Sequence, residues 1–486
     1  MKKKTVLTII AVFLLWNGSN LFAQMIDYTK TRVERSIQSD WKWIGSIRQR
    51  SIHDIPGEQS WTLGCETLCR DYIYWDTYKE YVAPLGIKRI RFQGGWAKTE
   101  KEKGVYDFAW LDYIIDDARK RGLSIWLETD YGNPIYEGGG GKDLAGGFPT
   151  SKEALEAWDR WVGEMARRYK DKVWAWAMWN EPDIGKPKRS PQMISEFNIR
   201  TAEVIKKIIP DARIGALSLA HNDAEYLDQC LQYFADHHKL ELFEWIIYHG
   251  YAKNPDTSYS IVEKMAAVVD KYNKKYKVDL KLWQGENGCP SERASKFALS
   301  GHDWSELTQA KWDARRMLGD LGHDVISSVF TICDFDHTGR EINHKGLLKI
   351  NDKRHLAKVK MAWYTVQNVV SVFDPTLARL KEYSCSIQCD KEITWYAYRD
   401  QKANQDVLVC WDGTGIPSDS NEALKAAITI ENGKFKDPVW ADIVSGYIRE
   451  IPKKNIKFSG NKMILIDVPV YDGPIIITDR TRLIPE

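Results

Sequence analysis

One unit recurs eight times along this chain: a short run of β-branched and aromatic residues, a polar loop, and a stretch with helical periodicity. Strands that alternate with helices pair in parallel, because each helix returns the chain to the starting edge of the sheet. Eight such units predict an α/β fold, the closed (β/α)8 TIM barrel. The predicted strands are residues 61–66, 88–93, 123–128, 173–179, 212–217, 244–249, 280–284 and 326–333.

Signals at helix ends agree with this alternation. Residues 110–118 place their apolar side chains on one helical face, and Gly122 ends the pattern. Ser190 followed by Pro191 is typical of an N-cap with proline in the first turn, and it predicts a helix that runs to about Ile209. Crossover helices between the strands are therefore expected.

The pattern changes after about Pro375 to alternating strands separated by turn signals, with no helix of any length. This part predicts an antiparallel β-sandwich that follows a last barrel helix near residues 355–372. Its predicted strands are residues 393–398, 407–411, 426–430, 463–468 and 475–478. We therefore divide the chain into a signal peptide at 1–23, an unassigned segment at 24–59 that wraps either domain, the barrel at 60–374 and a β-sandwich accessory domain at 375–486.

The first residues have the pattern of a secretory signal peptide. Lysines at positions 2–4 precede an apolar run over residues 5–16, and Ala23 is the small residue expected at a cleavage site. The run is too short to span a bilayer. We expect an exported chain, periplasmic or secreted, with no membrane span.

Charge and composition narrow the classes of partner. Lys and Arg total 69 and Asp and Glu total 67, a balance that disfavours nucleic acid as a partner. Aromatic residues make up 12% of the chain, and flat rings suit sugar faces, although most rings are expected in the core. Eight cysteines among 486 residues do not form a dense disulfide framework, but a disulfide between Cys410 and Cys385 or Cys389 stays open.

Two glutamates follow predicted barrel strands. The fourth strand ends in Asn180-Glu181-Pro182, and a proline cannot continue a hydrogen-bonded ladder, so Glu181 lies at the C-terminal rim. Glu286 occupies the same kind of place after the seventh strand. Either glutamate alone would be an ordinary polar rim residue, but active sites of TIM barrels lie at this rim. Such a pair can divide into a protonated acid and an ionised nucleophile, the arrangement that glycoside hydrolysis requires.

Strand alternation predicts the direction of Glu286. With a period of two, Glu286 lies on the same face as Leu280 and Leu282. Trp283 then lies on the opposite face. If the leucines line the barrel, Glu286 points inward above them and Trp283 packs against the helices.

These strand ends resemble a known group of enzymes. Trp179-Asn180-Glu181-Pro182 and Gln284-Gly285-Glu286 resemble the motifs of clan A of the retaining glycoside hydrolases. Within that clan the chain is most similar to glycoside hydrolase family 39, through residues 88–94, residues 104–112 and the terminal sandwich. The resemblance covers most of residues 60–486.

The resemblance implies roles for the residues at the fourth and seventh strands. Glu181 would protonate the leaving oxygen and then activate water, and Glu286 would attack the anomeric carbon. Asn180 matches the clan's ligand to the sugar 2-hydroxyl, which requires the strand to end or bulge, because strict alternation turns Asn180 away from Glu181. Arg91 matches an arginine that would keep Glu286 ionised. A purely structural ion pair of Arg91 is the alternative.

The resemblance also places His249 and Tyr251 where they would touch the nucleophile and the substrate. A lone histidine at such a position is otherwise more often a core residue whose hydrogen bonds are made within the protein. No cofactor and no metal ion are implied. Gln93 stands where the family has histidine, and the insert at 136–147, which contains the glycine run 138–141, has no counterpart.

Other polar side chains also follow strands. Glu128 and Asp130 end the third strand and could bind sugar hydroxyls. Asp334, Asp336 and His337 end the eighth strand and are an alternative metal site, which we disfavour because hard cations take more carboxylate ligands than this stretch offers.

The sequence therefore predicts a retaining glycoside hydrolase whose partner is an oligosaccharide or polysaccharide. By resemblance it is exo-acting on β-xyloside-like linkages. The alternatives are an endo-acting glycanase of the same clan, which needs an open cleft, and a catalytically silent carbohydrate-binding barrel.

Overall fold

The computed structural model describes residues 36–144, 146–185, 188–294, 296–337, 341–431 and 435–484. The predicted signal peptide at 1–23 and the first part of the N-terminal segment lie outside the described residues.

Eight parallel strands close into a barrel in the order of the chain, and the last strand pairs with the first. Each predicted strand is present, so the TIM barrel is confirmed. Strand β1 (Trp43–Ser46) precedes the barrel in sequence. The barrel strands are β2 Trp61–Gly64, β3 Arg89–Gln93, β4 Ser124–Glu128, β5 Val173–Ala177, β6 Ile214–Leu219, β7 Trp245–Tyr248, β8 Lys281–Asn287 and β9 Ile326–Val329.

Helices flank the barrel strands. The predicted cap is present, since Ser190 Oγ accepts a hydrogen bond from the backbone N–H of Met193 at 3.2 Å. Short 3-10 turns are Leu68–Arg70, Leu240–Leu242, Pro255–Ser258 and Lys453–Asn455. The helices are α1 Trp75–Leu85, α2 Trp96–Thr99, α3 Ala109–Lys120, α4 Lys152–Tyr169, α5 Pro191–Ile208, α6 Ala224–Asp236, α7 Tyr259–Tyr276, α8 Glu306–Gly322, α9 Met361–Val372 and α10 Arg480–Leu483.

The last barrel helix differs from the prediction at its start. It begins at Met361 rather than near residue 355, because Leu356–Val359 form strand β13, which pairs antiparallel with β12 (Leu348–Ile350). Every residue of α9 is buried, so this helix is covered on all sides. Across the described residues, no helix has both the length and the hydropathy to span a membrane.

The C-terminal part forms two antiparallel sheets, as predicted, and the five predicted strands are present. The seven-stranded sheet has the order β1-β20-β19-β23-β17-β16-β14 and the four-stranded sheet has the order β15-β18-β22-β21. The hairpin β10 Phe335–His337 and β11 Glu341–Asn343 lies apart from both. The sandwich strands are β14 Leu377–Arg379, β15 Cys385–Gln388, β16 Ile393–Asp400, β17 Asp406–Asp412, β18 Leu424–Glu431, β19 Pro438–Asp442, β20 Tyr447–Glu450, β21 Ile456–Ser459, β22 Lys462–Val470 and β23 Ile475–Asp479.

The N-terminal segment, which the sequence left unassigned, contributes to the sandwich. Strand β1 pairs antiparallel with β20 and forms one edge of the seven-stranded sheet. All eight cysteines are free. Cys410 lies in the seven-stranded sheet and Cys385 in the four-stranded sheet, so their strands do not pair and the disulfide that the sequence left open is not formed.

An aromatic cluster fills the barrel and corrects the predicted direction of Trp283. Trp126 of β4 and Trp283 of β8 belong to strands that are not neighbours, yet their ring centroids lie 4.2 Å apart, so both side chains point inward. Trp283 Nε1 also donates to Ser328 Oγ of β9 at 3.1 Å. Leu280 and Leu282 pack instead in the larger core outside this cluster. The leucines therefore do not line the barrel, and the prediction that Trp283 packs against the helices was wrong.

Lys311 of α8 connects the barrel to the sandwich. Its ammonium group donates to the carbonyl oxygens of Ser418 at 2.8 Å and Ser420 at 2.5 Å, and it pairs with Asp472 at 2.6 Å. The Lys311 side chain is fully buried, and burial lowers its pKa although the charge of Asp472 opposes this.

We expect Lys311→Met to reduce the free energy of unfolding by about 3 kcal/mol, because it leaves a mostly buried carboxylate and two carbonyl groups without their donor. Urea unfolding followed by tryptophan fluorescence measures this loss. Lys358→Met is the matched control, since Lys358 forms a partly exposed pair with Glu306 of the same helix and should change stability by less than about 1 kcal/mol. Equal effects of the two substitutions would contradict the assigned role of Lys311.

Candidate active site

The fourth barrel strand ends before the residues that carry the Asn-Glu-Pro motif. Strand β5 stops at Ala177, and Glu181 has a left-handed backbone conformation with φ of 50°. The backbone N–H of Glu181 donates to the carbonyl oxygen of Ser218 at 3.0 Å, which holds this conformation against β6. Because strand alternation no longer applies there, Asn180 and Glu181 both line the same cavity. The sequence analysis required such an end of the strand.

Glu286 reaches the cavity through an irregularity in β8. Gln284 lies opposite Ser327, whereas Asn287 lies opposite Val329, so β8 has one more residue than β9 over this stretch. The extra residue is a bulge, and it shifts the alternation of side chains. Trp283 can therefore point into the barrel while Glu286 points into its mouth.

The cavity at the C-terminal mouth of the barrel has a volume of about 530 Å³. Of the residues predicted for the site, Asn180, Glu181, Tyr251 and Glu286 line it. Residues at the C-terminal end of each of the eight barrel strands, or in the loop after it, contribute to its wall. Representatives of the eight in chain order are Glu66, Gln93, Tyr131, Glu181, Ala220, Tyr251, Glu286 and Phe335.

Arg91 lies beneath the cavity floor and is 1% exposed. Its guanidinium group donates to Glu286 Oε2 at 2.7 Å and to Glu128 Oε2 at 2.8 Å. It also contacts Glu66 at 3.3 Å and donates to the side-chain oxygen of Asn180. The predicted contact between Arg91 and Glu286 is present, and the same arginine also orients Asn180.

His249 and Tyr251 hold the two glutamates from the side of β7. Tyr251 donates its hydroxyl hydrogen to Glu286 Oε1 at 3.0 Å. His249 Nδ1 lies 2.9 Å from Glu181 Oε1 and 3.9 Å from Glu286 Oε2. His249 is 0% exposed and, like Arg91, does not line the cavity, so its direct contacts are with the glutamates.

The two glutamates have pKa values that are shifted in opposite directions. Burial raises the pKa of Glu181, and the negative charge of Glu286 adds to the increase. Burial would also raise the pKa of Glu286, but the charges of His249 and Arg91 and hydrogen bonds from Arg91 and Tyr251 lower it below its ordinary value. The surroundings therefore favour a protonated Glu181 and an ionised Glu286.

Ligand atoms of Glu181, His249 and Glu286 lie within 4.8 Å of one another. Among the described residues this is the group of three that could hold a metal ion. It differs from the alternative metal site of the sequence analysis, whose members have other partners: Asp334 pairs with Lys360 at 2.6 Å, and Asp336 pairs with Arg354 at 2.9 Å.

The remaining predicted polar residues lie below or beside the cavity. Glu128 and Asp130 are 0% exposed and do not line it, so they cannot bind sugar hydroxyls as expected. Gln93 lines the cavity and is held by five contacts of its amide. Its oxygen accepts from Arg70 at 3.0 Å, and its nitrogen donates to the hydroxyl of Tyr131 at 3.3 Å.

Glycines in the insert are required by close backbone packing. A Cβ atom on Gly139 would lie 2.1 Å from the carbonyl oxygen of Asn133, and one on Gly140 would lie 2.2 Å from that of Gly147. The insert is therefore a tightly wound loop, and its Leu144 side chain reaches the cavity wall.

Sequence reasoning missed three charged residues of the cavity: Glu66, Arg70 and Lys345. Glu66 comes two residues after the end of strand β2, so the rule that identified Glu181 and Glu286 could have found it. Arg70 and Lys345 lie farther along their loops, and no local pattern marks them.

Glu66 is a buried carboxyl group with an unusual pKa. Burial raises this pKa to about 7, with Arg91 opposing the increase and Glu286 adding to it. Because the carboxyl group ionises at about pH 4.5 in the unfolded chain, the folded state binds the extra proton between about pH 4.5 and 7. The contribution of Glu66 to stability therefore falls as pH rises through this window.

We expect Glu66→Gln to remove this pH dependence, so that stability falls less between pH 5 and pH 8 than in the wild type, by about 3 kcal/mol. Urea unfolding at the two pH values measures the difference. Glu58→Gln is the control, because the Glu58 side chain is 73% exposed. The assignment fails if Glu66→Gln and the wild type lose equal stability over this pH range.

Comparison with sequence families adds an independent finding. Residues 4–284, more than half of the chain, match the sequence model of Glycosyl hydrolases family 39. The matched stretch contains Arg91, Asn180, Glu181, His249 and Tyr251, and it ends two residues before Glu286.

Solved structures with the same fold include several carbohydrate-active enzymes. A family 39 glycoside hydrolase from the gut symbiont Bacteroides cellulosilyticus WH2 is 14% identical, with a TM-score of 0.58 over 87% of this chain and 82% of that chain. A monomeric β-xylosidase from Caulobacter crescentus CB15 is 15% identical, with a TM-score of 0.54 over 91% and 99%. A family 30 endoxylanase from Clostridium papyrosolvens C71 is 13% identical, with a TM-score of 0.53 over 91% and 98%. At these identities the likeness concerns the fold.

Proposed function

Since this chain belongs to family 39 of the glycosyl hydrolases and is a glycosidase, we propose that it cleaves O-glycosidic bonds with retention of configuration and acts from chain ends. In this proposal Glu181 is the acid/base and Glu286 is the nucleophile. The observation that carries it is the opposite direction of the two pKa shifts at a carboxylate pair facing one cavity.

In the first step, a carboxylate oxygen of Glu286 forms a bond to the anomeric carbon while the bond from that carbon to the leaving oxygen breaks. The proton of Glu181 goes to the leaving oxygen, which departs as an alcohol. In the second step, water gives a proton to Glu181 and attacks the anomeric carbon, and the Glu286 carboxylate is released. Two inversions at one carbon give net retention.

The distance between the carboxyl groups supports retention over inversion. Oxygen atoms of Glu181 and Glu286 approach within 4.8 Å. Retaining enzymes hold their carboxyl groups about 5 to 5.5 Å apart, whereas inverting enzymes need about 6.5 to 9.5 Å to admit a water molecule.

Neighbouring side chains support the two roles. Arg91 and Tyr251 donate to different oxygens of Glu286, which keeps its carboxylate ionised and fixes its orientation. Arg91 and His249 act through the glutamates rather than on the sugar. Asn180 uses its amide oxygen on Arg91 and one hydrogen on Tyr131, so a second amide hydrogen is free to reach a sugar hydroxyl, as the resemblance implies.

The shape of the cavity supports action at chain ends. Side chains from all eight barrel strands or from the loops after them contribute to its wall, so residues from every part of the barrel mouth surround the site. An endo-acting enzyme needs a groove that lets a chain pass through. β-Xyloside-like linkages are the first substrates to test, because the family resemblance implies them.

The experiment is hydrolysis of aryl glycosides and polysaccharides, with analysis of the products. Proton NMR of the first-formed sugar should show the anomeric configuration of the substrate, and chromatography should show single sugars rather than oligosaccharides. A product of inverted configuration would refute the two-step mechanism, and early release of mixed oligosaccharides would show endo action.

We also propose that the chain is exported, on the basis of its N-terminal pattern. Expressed with its own N-terminus in a bacterium, the mature protein should begin at Gln24 by N-terminal sequencing. Retention of residues 1–23 would contradict export through signal cleavage.

A further inference from the structure

Lys345 places a buried positive charge in the wall of the cavity. The residue is 2% exposed and lines the same pocket as Glu181 and Glu286. Its ammonium group lies over the ring of Tyr251, at 5.9 Å from the ring centroid, and Tyr251 donates to Glu286. Lys345 is therefore close to the reacting centre.

This ammonium group has no ion-pair partner among the described residues. In that part of the chain, no carboxylate oxygen lies within 4.0 Å of its nitrogen, and the nitrogen donates no hydrogen bond. A buried ammonium group without a close partner is costly, since it has lost its water and formed no ion pair. Burial lowers the pKa of Lys345 to about 8, although Cys289 and the carboxyl groups of Glu286 and Glu181 oppose this decrease, so the group is still mostly charged at neutral pH.

Arg70 adds a second positive charge to the cavity. Its guanidinium group lies over the rings of Tyr72 and Tyr131, at 4.9 Å and 5.0 Å from their centroids, and donates to Gln93. Among the residues that the structure describes, no carboxylate lies within 4.0 Å of it, and its Nε is buried without a hydrogen-bond partner.

The side chain of His337 is affected by the positive charges of both Arg70 and Lys345. It lines the cavity together with Arg70 and Lys345. Burial, together with the charges of Arg70 and Lys345, lowers the pKa of His337 to about 4. Arg70 and Lys345 therefore act on the same part of the cavity wall, which the loops after β2 and β9 form.

We propose that Lys345, supported by Arg70, binds an anionic substituent of the sugar, so that the substrate is an acidic glycan rather than a neutral one. This inference rests on the proposed glycosidase site and names its substrate class. The substituent is a carboxylate, as in a uronic acid, or a sulfate ester, and either would supply the direct ion pair that the described residues do not. The sugar that carries it occupies the pocket beside Tyr251, next to the two glutamates.

A neutral glycan would leave both cations unpaired after water is expelled from the pocket. Lys345 could alternatively act only on Glu286, by lowering the pKa of the nucleophile. Loss of that role would slow the hydrolysis of acidic and neutral substrates equally. A change in substrate preference therefore distinguishes the two roles.

The test uses pairs of nitrophenyl glycosides that differ in one group: glucuronide and glucoside, galacturonide and galactoside, and glucoside 6-sulfate and glucoside, in both anomeric forms. We expect the intact enzyme to have a kcat/KM at least tenfold higher for the acidic member of at least one pair. Lys345→Met should lower this preference at least tenfold. The carboxylate and sulfate pairs distinguish the two kinds of substituent.

Lys349→Met is the matched control, because Lys349 lies in the same segment and pairs with Glu292 at 3.1 Å, outside the cavity. It should keep the preference of the wild type. Equal or better hydrolysis of the neutral member in every hydrolysed pair would overturn the inference and leave the proposed function intact. An equal loss on acidic and neutral substrates in Lys345→Met would also overturn it.

If no pair is hydrolysed, a binding experiment tests this inference separately from the proposed function. The Glu286→Gln variant is titrated calorimetrically with glucuronate, galacturonate, glucose 6-sulfate and the parent neutral sugars. Binding of an acidic sugar that Lys345→Met removes and Lys349→Met keeps would support the anion site even though hydrolysis failed. Absence of any preference for the acidic sugars would refute it.

Discussion

Replacing Glu286 by alanine should lower kcat/KM by about 10⁵-fold or more on every glycoside, whether its leaving group is good or poor. No other side chain can take over the attack on the anomeric carbon, because the bulge in β8 brings only this carboxylate to the mouth from that strand. Steady-state rates on a nitrophenyl glycoside and on an unactivated disaccharide measure the loss.

Asp279→Ala is the matched control for this substitution. Asp279 precedes the opposite end of β8, and its side chain is 83% exposed, so its removal should leave the rates within about twofold of the wild type. Substantial activity of Glu286→Ala on either substrate would remove the nucleophile role from this residue.

Replacing Glu181 by alanine should lower the rate by an amount that depends on the leaving group of the substrate. On unactivated glycosides we expect kcat/KM to fall by about 10³-fold to 10⁴-fold, because the departing oxygen then leaves without a proton. Nitrophenol needs little protonation, so the first step on nitrophenyl glycosides should fall far less. Hydrolysis of the glycosyl-enzyme should still be slow, since water has lost its base.

Azide gives a second readout of the same variant. This small anion can enter the space that the Glu181 side chain vacates and attack the glycosyl-enzyme without needing a base. The expected product is a glycosyl azide with retained configuration, at a rate that rises with azide concentration. Rescue of Glu286→Ala with a retained azide product would instead reverse the assignment, as would an equal loss of Glu181→Ala on both kinds of substrate.

The barrel could be predicted because its strands are buried on both faces and appear as short hydrophobic runs. The same runs located Glu181 and Glu286, since each follows the end of a predicted run, although β8 continues to Asn287 and contains Glu286. Strand β1 could not be predicted in this way. It is only four residues long and mostly accessible, and what makes it a strand is its pairing with the distant Tyr447–Glu450.

Side-chain directions were harder to predict than strands. Alternation assigned Trp283 to the helices, but the bulge after Gln284 shifts the period, and Trp283 fills the barrel instead. Glu286 points into the barrel mouth as predicted, but the bulge in β8 and not strict alternation brings it there. Lys345 shows the other limit, because its position in the cavity depends on how the loop after β9 folds back and not on its neighbours in sequence.

The pairing of β1 with β20 affects the order in which a new chain can complete its structure. Strand β1 is synthesised before the barrel. It pairs with the edge strand of a sheet that is synthesised after the barrel. The barrel is thus enclosed in one long loop, whose ends meet only when the last domain has emerged from the ribosome. Until then, β1 has no partner strand, and in a chain that lacked β1 the strand β20 would present an open edge to other chains. Deletion of the first described residues, which include β1, would therefore cause the C-terminal domain to aggregate. The deletion lies far from that domain in sequence.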